Sequence, residues 1–396
     1  MMFEYFPDNY PWSMATVMAV NLGGVLSEVD EVLKGLKPIA GTNDDSANDA
    51  WHAGWTMLAE RSQRLAEADD AAGHGLSAGA KYLRAAIYFM TAERMCKSDD
   101  PQRIETYRRM LDMFRRGVER RGDPVSWVEV PYSDPKLGDS SLPALFFPAD
   151  PGTVPAGRQA PCIVHFDGLD VMKEFLLLAR LPHEYARRGV ATLLLDHPGV
   201  GEALRLRDLK LFPETEIPAA AAIDYLEGRG DVDPARIGIA GISLGGYYAP
   251  RAAGFEPRLA CCIAWGAIND YGKITEDRLK GTGTKLSVSH WEEHMNWVFG
   301  TRSADEVMAV INRMNLDEAL PNIRCPILVV HGEGDRQIPL EMAQKTIRDA
   351  VNSPRAELKV FTAADGGVEH CQVDHGALAV EYMTDWAADV LGAGNG

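Results

Sequence analysis

"GIAGISLGGYYAP", residues 238–250, passes from small apolar residues through a serine set between glycines and into a stretch of helical character. Gly241-Ile242-Ser243-Leu244-Gly245 fits G-x-S-x-G, and the preceding run "RIGIAGIS" reads as a buried strand. Strand, sharp turn with the serine at its apex, then helix is the context in which this motif carries nucleophilic chemistry. Glycine is needed on both sides because a side chain there collides with the flanking strand or helix. A serine that merely caps a helix needs neither glycine.

Working outward, apolar strands and helices alternate. "PCIVHFDG", "VATLLLD", "RIGIAGIS", "LACCIAWGA", "CPILVVHGEGD" and "ELKVFTA" read as strands, with helical stretches such as "KEFLLLARLPHEYARRG" and "ETEIPAAAAIDYLEGRG" between them. Near-continuous apolar strands separated by helices indicate a mostly parallel sheet covered on both faces, an α/β fold. "VSWVEVPY" and "LPALFFPAD" precede them as two further strands around a turn-rich link. Residues 123–396 are expected to form this domain, with a polar, aromatic-rich, lid-like insertion at 268–320.

Residues 1–122 read instead as a helical domain. Trp51, Trp55, Leu58 and Leu65 make one helical stripe, and Ile104, Tyr107, Leu111, Phe114 and Val118 another.

A serine hydroxyl is inert until a base takes its proton, so a carboxylate and a histidine are expected downstream in the order Ser, Asp, His. Asp335 follows the apolar strand "ILVVHG", and "GGVEHCQVDH" offers both His370 and His375 after the next strand. His370 is preferred because it sits on a loop behind a glycine turn, whereas His375 stands at the start of the last helix. Acyl chemistry also needs oxyanion donors: the Leu244 amide at the helix head, and the Leu169 amide after "IVHFDG".

Other features carry less. "HWEEH", residues 290–294, matches a zinc-peptidase pattern, but no third ligand is signalled, so no metal is expected. Trp291, His294 and Trp297 are instead assigned to the substrate pocket or to lid packing. "DHPGVGEALR" lacks the spacing of a phosphate-binding loop, and no cofactor is expected. A formal net charge of −17 disfavours a nucleic-acid partner, since phosphate binding needs clustered Lys and Arg. No apolar run is long enough for a bilayer, and the start "MMFEYFPDNYPW" lacks the pattern of a secretory signal, so a cytoplasmic protein without a membrane partner is expected. The six cysteines form no C-x-x-C pair and read as reduced; Cys371, beside His370, stands apart.

"GISLGGYYAPRAAGFEPRLACCIAWGAIND", "FPDNYPWSMATVMAVNLGGVLSEVDEVL" and "FDGLDVMKE" together resemble an α/β-hydrolase family, that of 2,6-dihydropseudooxynicotine hydrolase and the fungal yellowish-green-pigment hydrolases that shorten polyketides. In the last segment Asp167 replaces a glycine of the family's G-G-L-[DE]-x-x-K-E loop. The resemblance implies the α/β-hydrolase fold, an N-terminal helical domain that closes over the active site, the Ser243–Asp335–His370 triad and a homodimer. It further implies hydrolysis of a C–C bond next to a ketone, in a β-diketone or related small-molecule substrate. An auxiliary acid is implied after the "WG" strand, with Asp270, Glu276 and Asp277 as candidates. Two alternatives remain: an esterase, thioesterase or acyltransferase using the same triad, and a non-catalytic ligand receptor on the same fold.

Overall fold

The structure, a computed structural model, describes residues 2–42, 44–281 and 284–393. These divide into two compact units, one of residues 125–285 and 298–393, the other of residues 2–124 and 286–297.

The first unit is built on one eight-stranded sheet. Its strands are β1 (Ser126–Asp134), β2 (Gly138–Phe147), β3 (Ala160–Phe166), β4 (Ala191–Leu195), β5 (Val232–Ile242), β6 (Cys262–Trp265), β7 (Ile327–Gly332) and β8 (Ala356–Phe361). They lie in the order β1-β2-β4-β3-β5-β6-β7-β8. β1 and β2 are an antiparallel hairpin, β2 meets β4 antiparallel, and every pair from β4 through β3 to β8 is parallel. All eight strands fall where the apolar runs place them. β3, β4, β6 and β7 are buried along their whole length, which is why they read as continuous rather than alternating patterns. The sheet order reverses at β3, and β5 stands beside it, so the loops leaving β3 and β5 flank the crevice where such sheets hold ligands.

One stretch departs from its reading. "KEFLLLARLPHEYARRG" forms two helices, Lys173–Leu178 and Leu181–Arg187, separated at Arg180, whose φ of +62° no α-helix accommodates. Pro182 then occupies the opening turn of the second helix, where a missing N–H costs nothing.

In the second unit, residues 2–124 form the helices α1 (Tyr10–Asn21), α2 (Leu26–Leu36), α3 (Asp45–Ala71), α4 (Gly75–Glu93) and α5 (Pro101–Arg121), and most of the helix Trp291–Phe299 joins them. Side-chain caps start three of them, Asn9 on α1, Asp44 on α3 and Asp100 on α5, and Gly122 at φ +68° closes α5. Trp12, Trp51, Trp55 and Tyr88 are fully buried and stack in sequence, with ring centroids 4.9, 5.4 and 5.8 Å apart. Each such pair contributes about 0.5–1.5 kcal/mol beyond area burial. Leu65, expected on this stripe, is 48% exposed, whereas Ser62 and Ala66 beside it are buried, so the packed face of α3 passes next to it.

Residues 286–297, read from the sequence as part of a lid on the catalytic domain, belong to the helical unit instead. Asn48 Nδ2 lies 3.1 Å from His290 Nε2, Ser289 Oγ lies 3.5 Å from Met95 Sδ, and the Arg103 guanidinium stands 4.4 Å over the Trp297 ring. Arg103 is also held by Glu93 at 2.6 Å in a fully buried ion pair. A local run cannot show that its partners lie some two hundred residues upstream.

Candidate active site

β5 ends at Ile242, and Ser243 follows with φ +58°, a left-handed conformation that a serine adopts only under constraint. The constraint is visible on both sides. A Cβ on Gly241 would lie 2.1 Å from the Gly245 carbonyl oxygen, and one on Gly245 would lie 3.0 Å from the Asp167 carbonyl oxygen. The backbone N–H of Ser243 donates to the Trp265 carbonyl at 2.8 Å, fastening the turn to the end of β6. Leu244 then caps the helix Gly245–Phe255, whose first N–H groups have no partners within the helix.

Three side chains meet above this turn. Ser243 Oγ lies 2.8 Å from His370 Nε2, and His370 Nδ1 lies 2.8 Å from Asp335 Oδ2. With Nδ1–H donating to the carboxylate, Nε2 is left as the acceptor of the serine proton. Asp335 is positioned by its own loop, because Oδ1 accepts the N–H groups of Gln337 and Ile338 at 2.8 and 2.9 Å. His331 Nε2 lies 3.0 Å from the Ile338 carbonyl, bracing the same loop. His375, the other candidate, is exposed at the N-terminus of the helix Gly376–Leu391, where no contact links it to Ser243 or Asp335.

The electrostatics suit a base. Burial disfavours charge on His370, but the Asp335 carboxylate, with Cys371 alongside, outweighs it and raises the imidazole well above its ordinary range. Burial pushes the Asp335 carboxyl up, yet His370, His331 and the loop amides hold it below the usual carboxylate range.

How the histidine loop is held is visible only in three dimensions. Cys371 and Gln372 both have left-handed backbones, at φ +48° and +49°, which neither side chain favours. Cys371 Sγ lies 3.5 Å from His370 Nε2 and 3.5 Å from the Trp265 carbonyl oxygen. The other five cysteines are buried with free thiols.

The proposed oxyanion loop adjoins the serine. A Cβ on Gly168 would lie 2.8 Å from Ser243 Cβ and 3.4 Å from its Oγ, which brings the segment carrying Leu169 directly against Ser243. Leu244 and Leu169 are both buried.

The remaining candidates are engaged elsewhere. Asp270 caps the helix Tyr271–Leu279 by accepting the Lys273 N–H at 3.0 Å. Glu276 is exposed and pairs with Lys280 at 3.4 Å. Trp291 and His294 are buried within the helical unit, where the His294 and Trp297 rings lie 5.9 Å apart.

Comparison with known proteins bears on the fold and on the class of enzyme. Residues 219–394, which include Ser243, Asp335 and His370, match the prolyl oligopeptidase family. The chain is 27% identical to 2,6-dihydropseudooxynicotine hydrolase of Paenarthrobacter nicotinovorans, over 90% of this chain and 89% of that protein. It is also 27% identical to 20-hydroxy-prefusarin hydrolase of Gibberella moniliformis, over 88% and 89%. The crystal structure of 2,6-dihydroxy-pseudo-oxynicotine hydrolase superposes with a TM-score of 0.74 at 24% identity, covering 95% of each chain. The chain has the α/β-hydrolase fold and is similar to these hydrolases over most of its length.

In this α/β hydrolase the sheet follows the shared fold, and no helix among the described residues is long and apolar enough to cross a membrane.

Proposed function

We propose that this α/β hydrolase cleaves a C–C bond next to a ketone, using Ser243 as nucleophile, His370 as general base and acid, and Asp335 to orient and stabilise the imidazolium. The observation that carries the reading is the unbroken Oγ–Nε2 and Nδ1–Oδ2 relay at 2.8 Å each, on a strained elbow that holds the serine out of both strand and helix. The names of the two relatives, hydrolases of a pseudooxynicotine and of a prefusarin, support a ketonic or polyketide-like small molecule over a peptide.

Ser243 Oγ attacks the carbonyl carbon as its proton passes to His370 Nε2, and the resulting oxyanion is held by the amides of Leu244 and Leu169. When the tetrahedral centre collapses, the C–C bonding pair leaves with the neighbouring carbon. A second carbonyl, as in a β-diketone, receives that pair as an enolate, and the proton on Nε2 returns to it. Water, deprotonated by His370, then releases the acyl group from Ser243 as a carboxylic acid. A histidine whose charged form is favoured by Asp335 suits the protonating step.

One observation favours a second reading, an esterase, thioesterase or acyltransferase. Asp270 and Glu276, expected as auxiliary acids, are occupied by a helix cap and a surface ion pair, and an ester's alkoxide leaving group needs no acid beyond His370. Product analysis separates the two. Mass spectrometry of reactions with β-diketones, aryl esters and thioesters should show the diketone split into an acid and a ketone, and no split with Ser243→Ala. Turnover of esters or thioesters alone would put the second reading in its place. A homodimer follows from the same resemblance, and sedimentation at micromolar concentration tests it.

A further inference from the structure

Beside the loop leaving β3 lies a buried cluster of charges that the triad does not use. Asp167, Lys173, Glu174 and Asp196 are each no more than 1% exposed. Lys173 Nζ reaches Asp196 Oδ2 at 2.7 Å, Glu174 Oε1 at 2.8 Å and Glu202 Oε2 at 3.2 Å. Glu202, at the rim, also pairs with Arg207 at 3.4 Å. His197, next to Asp196, is held neutral by burial, its imidazole pushed down to about 4. Within the cluster, then, one ammonium faces three buried carboxyls. Three ionised carboxylates around one ammonium leave buried charge uncompensated, which a protein reduces by keeping a proton on at least one of them.

The hydrogen bonds indicate which one. Asp196 accepts three donors: the Lys173 N–H at 2.9 Å on Oδ1, and the Glu202 N–H at 2.8 Å and Lys173 Nζ at 2.7 Å on Oδ2. The two oxygens of Asp167 are buried with no donor among the described residues, and Asp196 is the charged neighbour that acts on its carboxyl most strongly. Two ionised carboxylates repel and a buried carboxylate without a donor is costly, so a proton belongs on Asp167, which could then donate to Asp196. An ionised carboxylate offers about four acceptor sites, and Asp196 has one left on Oδ1. Burial, with Asp196 and Glu174 close by, drives Asp167 well above the usual carboxylate range, and burial raises Glu174 to about 7. Burial also pushes Asp196 up, but Lys173 and the two backbone amides hold it below.

Asp167 is joined to the reaction centre through its backbone. Its carbonyl oxygen and that of Phe166 would lie 3.0 and 3.1 Å from a Cβ on Gly245, and the next residue, Gly168, packs against Ser243. We propose that Asp167 is a neutral carboxylic acid whose O–H, donated to Asp196, holds the 167–169 loop and the Leu169 amide in register with Ser243. It is a positioning residue for the oxyanion, a role that rests on Ser243 being the nucleophile as proposed above.

Infrared difference spectra of wild type against Asp167→Asn test the protonation directly. The carbonyl stretch of a protonated carboxylic acid should be present at pH 7 in the wild type and lost in the variant; if no such band is lost, the proposal is overturned. The positioning role is read from the rate at which a fluorophosphonate labels Ser243 as a function of pH. Asp167→Ala should slow labelling by about 100-fold, the scale of a misplaced reacting group, while Asp167→Asn, which keeps a donor towards Asp196, should restore most of it. In the wild type labelling should fall on the alkaline side as Asp167 ionises. That fall should persist in Glu174→Gln and vanish in Asp167→Asn. A folded Asp167→Asn as slow as Asp167→Ala, or Asp167→Ala as fast as wild type, overturns the positioning role. Absence of Ser243 labelling in the wild type itself would instead sink the proposed nucleophile, while the infrared band still decides the proton.

Discussion

Trp265 Nε1 donates a 2.6 Å hydrogen bond to Gln372 Oε1, and both side chains are buried. This bond joins the end of β6, which also holds the Ser243 amide, to the loop that carries His370. Ser243 and His370 are thus both referred to one residue. Two successive left-handed residues, Cys371 and Gln372, persist because this anchor and the Trp265 carbonyl over-determine the loop. Gln372→Leu keeps the volume but strands the indole N–H and frees the loop. The expected loss of stability is about 1–3 kcal/mol. In steady-state kinetics kcat should fall at least tenfold, with KM changed far less. An unchanged kcat in the folded variant would show that the anchor has no part in holding His370.

The pH dependence of the rate follows from the His370–Asp335 pair. Only neutral His370 accepts the serine proton, and its charged form is stabilised in the fold, so the acid limb of kcat/KM should lie above the ordinary imidazole value of about 6.5. Asp335→Asn removes that stabilisation, moving the limb downward and lowering kcat on the order of 10⁴-fold. Cys371→Ala should move the limb in the same direction while turnover survives. The stability linkage has a definite sign. The raised His370 contributes stability fully present below about 6.5 and lost as pH rises through its folded value, while the lowered Asp335 contributes stability present above about 4 and lost as pH falls through its folded value. Their joint contribution is therefore greatest between about pH 4 and 6.5, and thermal melts of wild type and Asp335→Asn across pH should differ most in that window.

At the elbow, Gly241→Ala places a methyl 2.1 Å from the Gly245 carbonyl oxygen, a backbone atom that cannot rotate away. The turn must open, carrying Ser243 off its register. The variant should lose phosphonate labelling together with several degrees of melting temperature, and a normally labelled Gly241→Ala would show that the turn tolerates a side chain.

In the helical unit the Glu93–Arg103 pair is buried on both sides, and Arg103 also covers Trp297. Arg103→Met leaves the Glu93 carboxylate without its cation, a loss of about 3–5 kcal/mol measurable by urea unfolding. Glu93→Gln combined with Arg103→Met should recover most of it, since the cost lies in the uncompensated charge. Equal losses in the single and double variants would contradict that origin.

How much of this was legible in the sequence depends on the range of the interaction. The central strands could be read because a sheet covered on both faces demands apolar residues at every position, as "CIVHF" and "ILVVHG" show, and β1 because its buried and exposed residues alternate. Ser243, Asp335 and His370 could be placed because each follows a strand at its carboxyl end, a local feature. The break at Arg180 was hidden, since its composition is that of a continuous helix. Residues 286–297 have polar and aromatic character, but their partners Asn48, Met95 and Arg103 are far upstream. Asp167 showed only as a departure from a glycine pattern; its consequence depends on Lys173, Glu174 and Asp196 meeting it in three dimensions.

The central claim is that Ser243 is the activated nucleophile. Incubation with a fluorophosphonate followed by peptide mass spectrometry tests it most directly. A single adduct on the peptide spanning Ser243, absent after His370→Ala, is the predicted result. Full turnover of any substrate by Ser243→Ala, with the wild-type adduct on another residue, would contradict it.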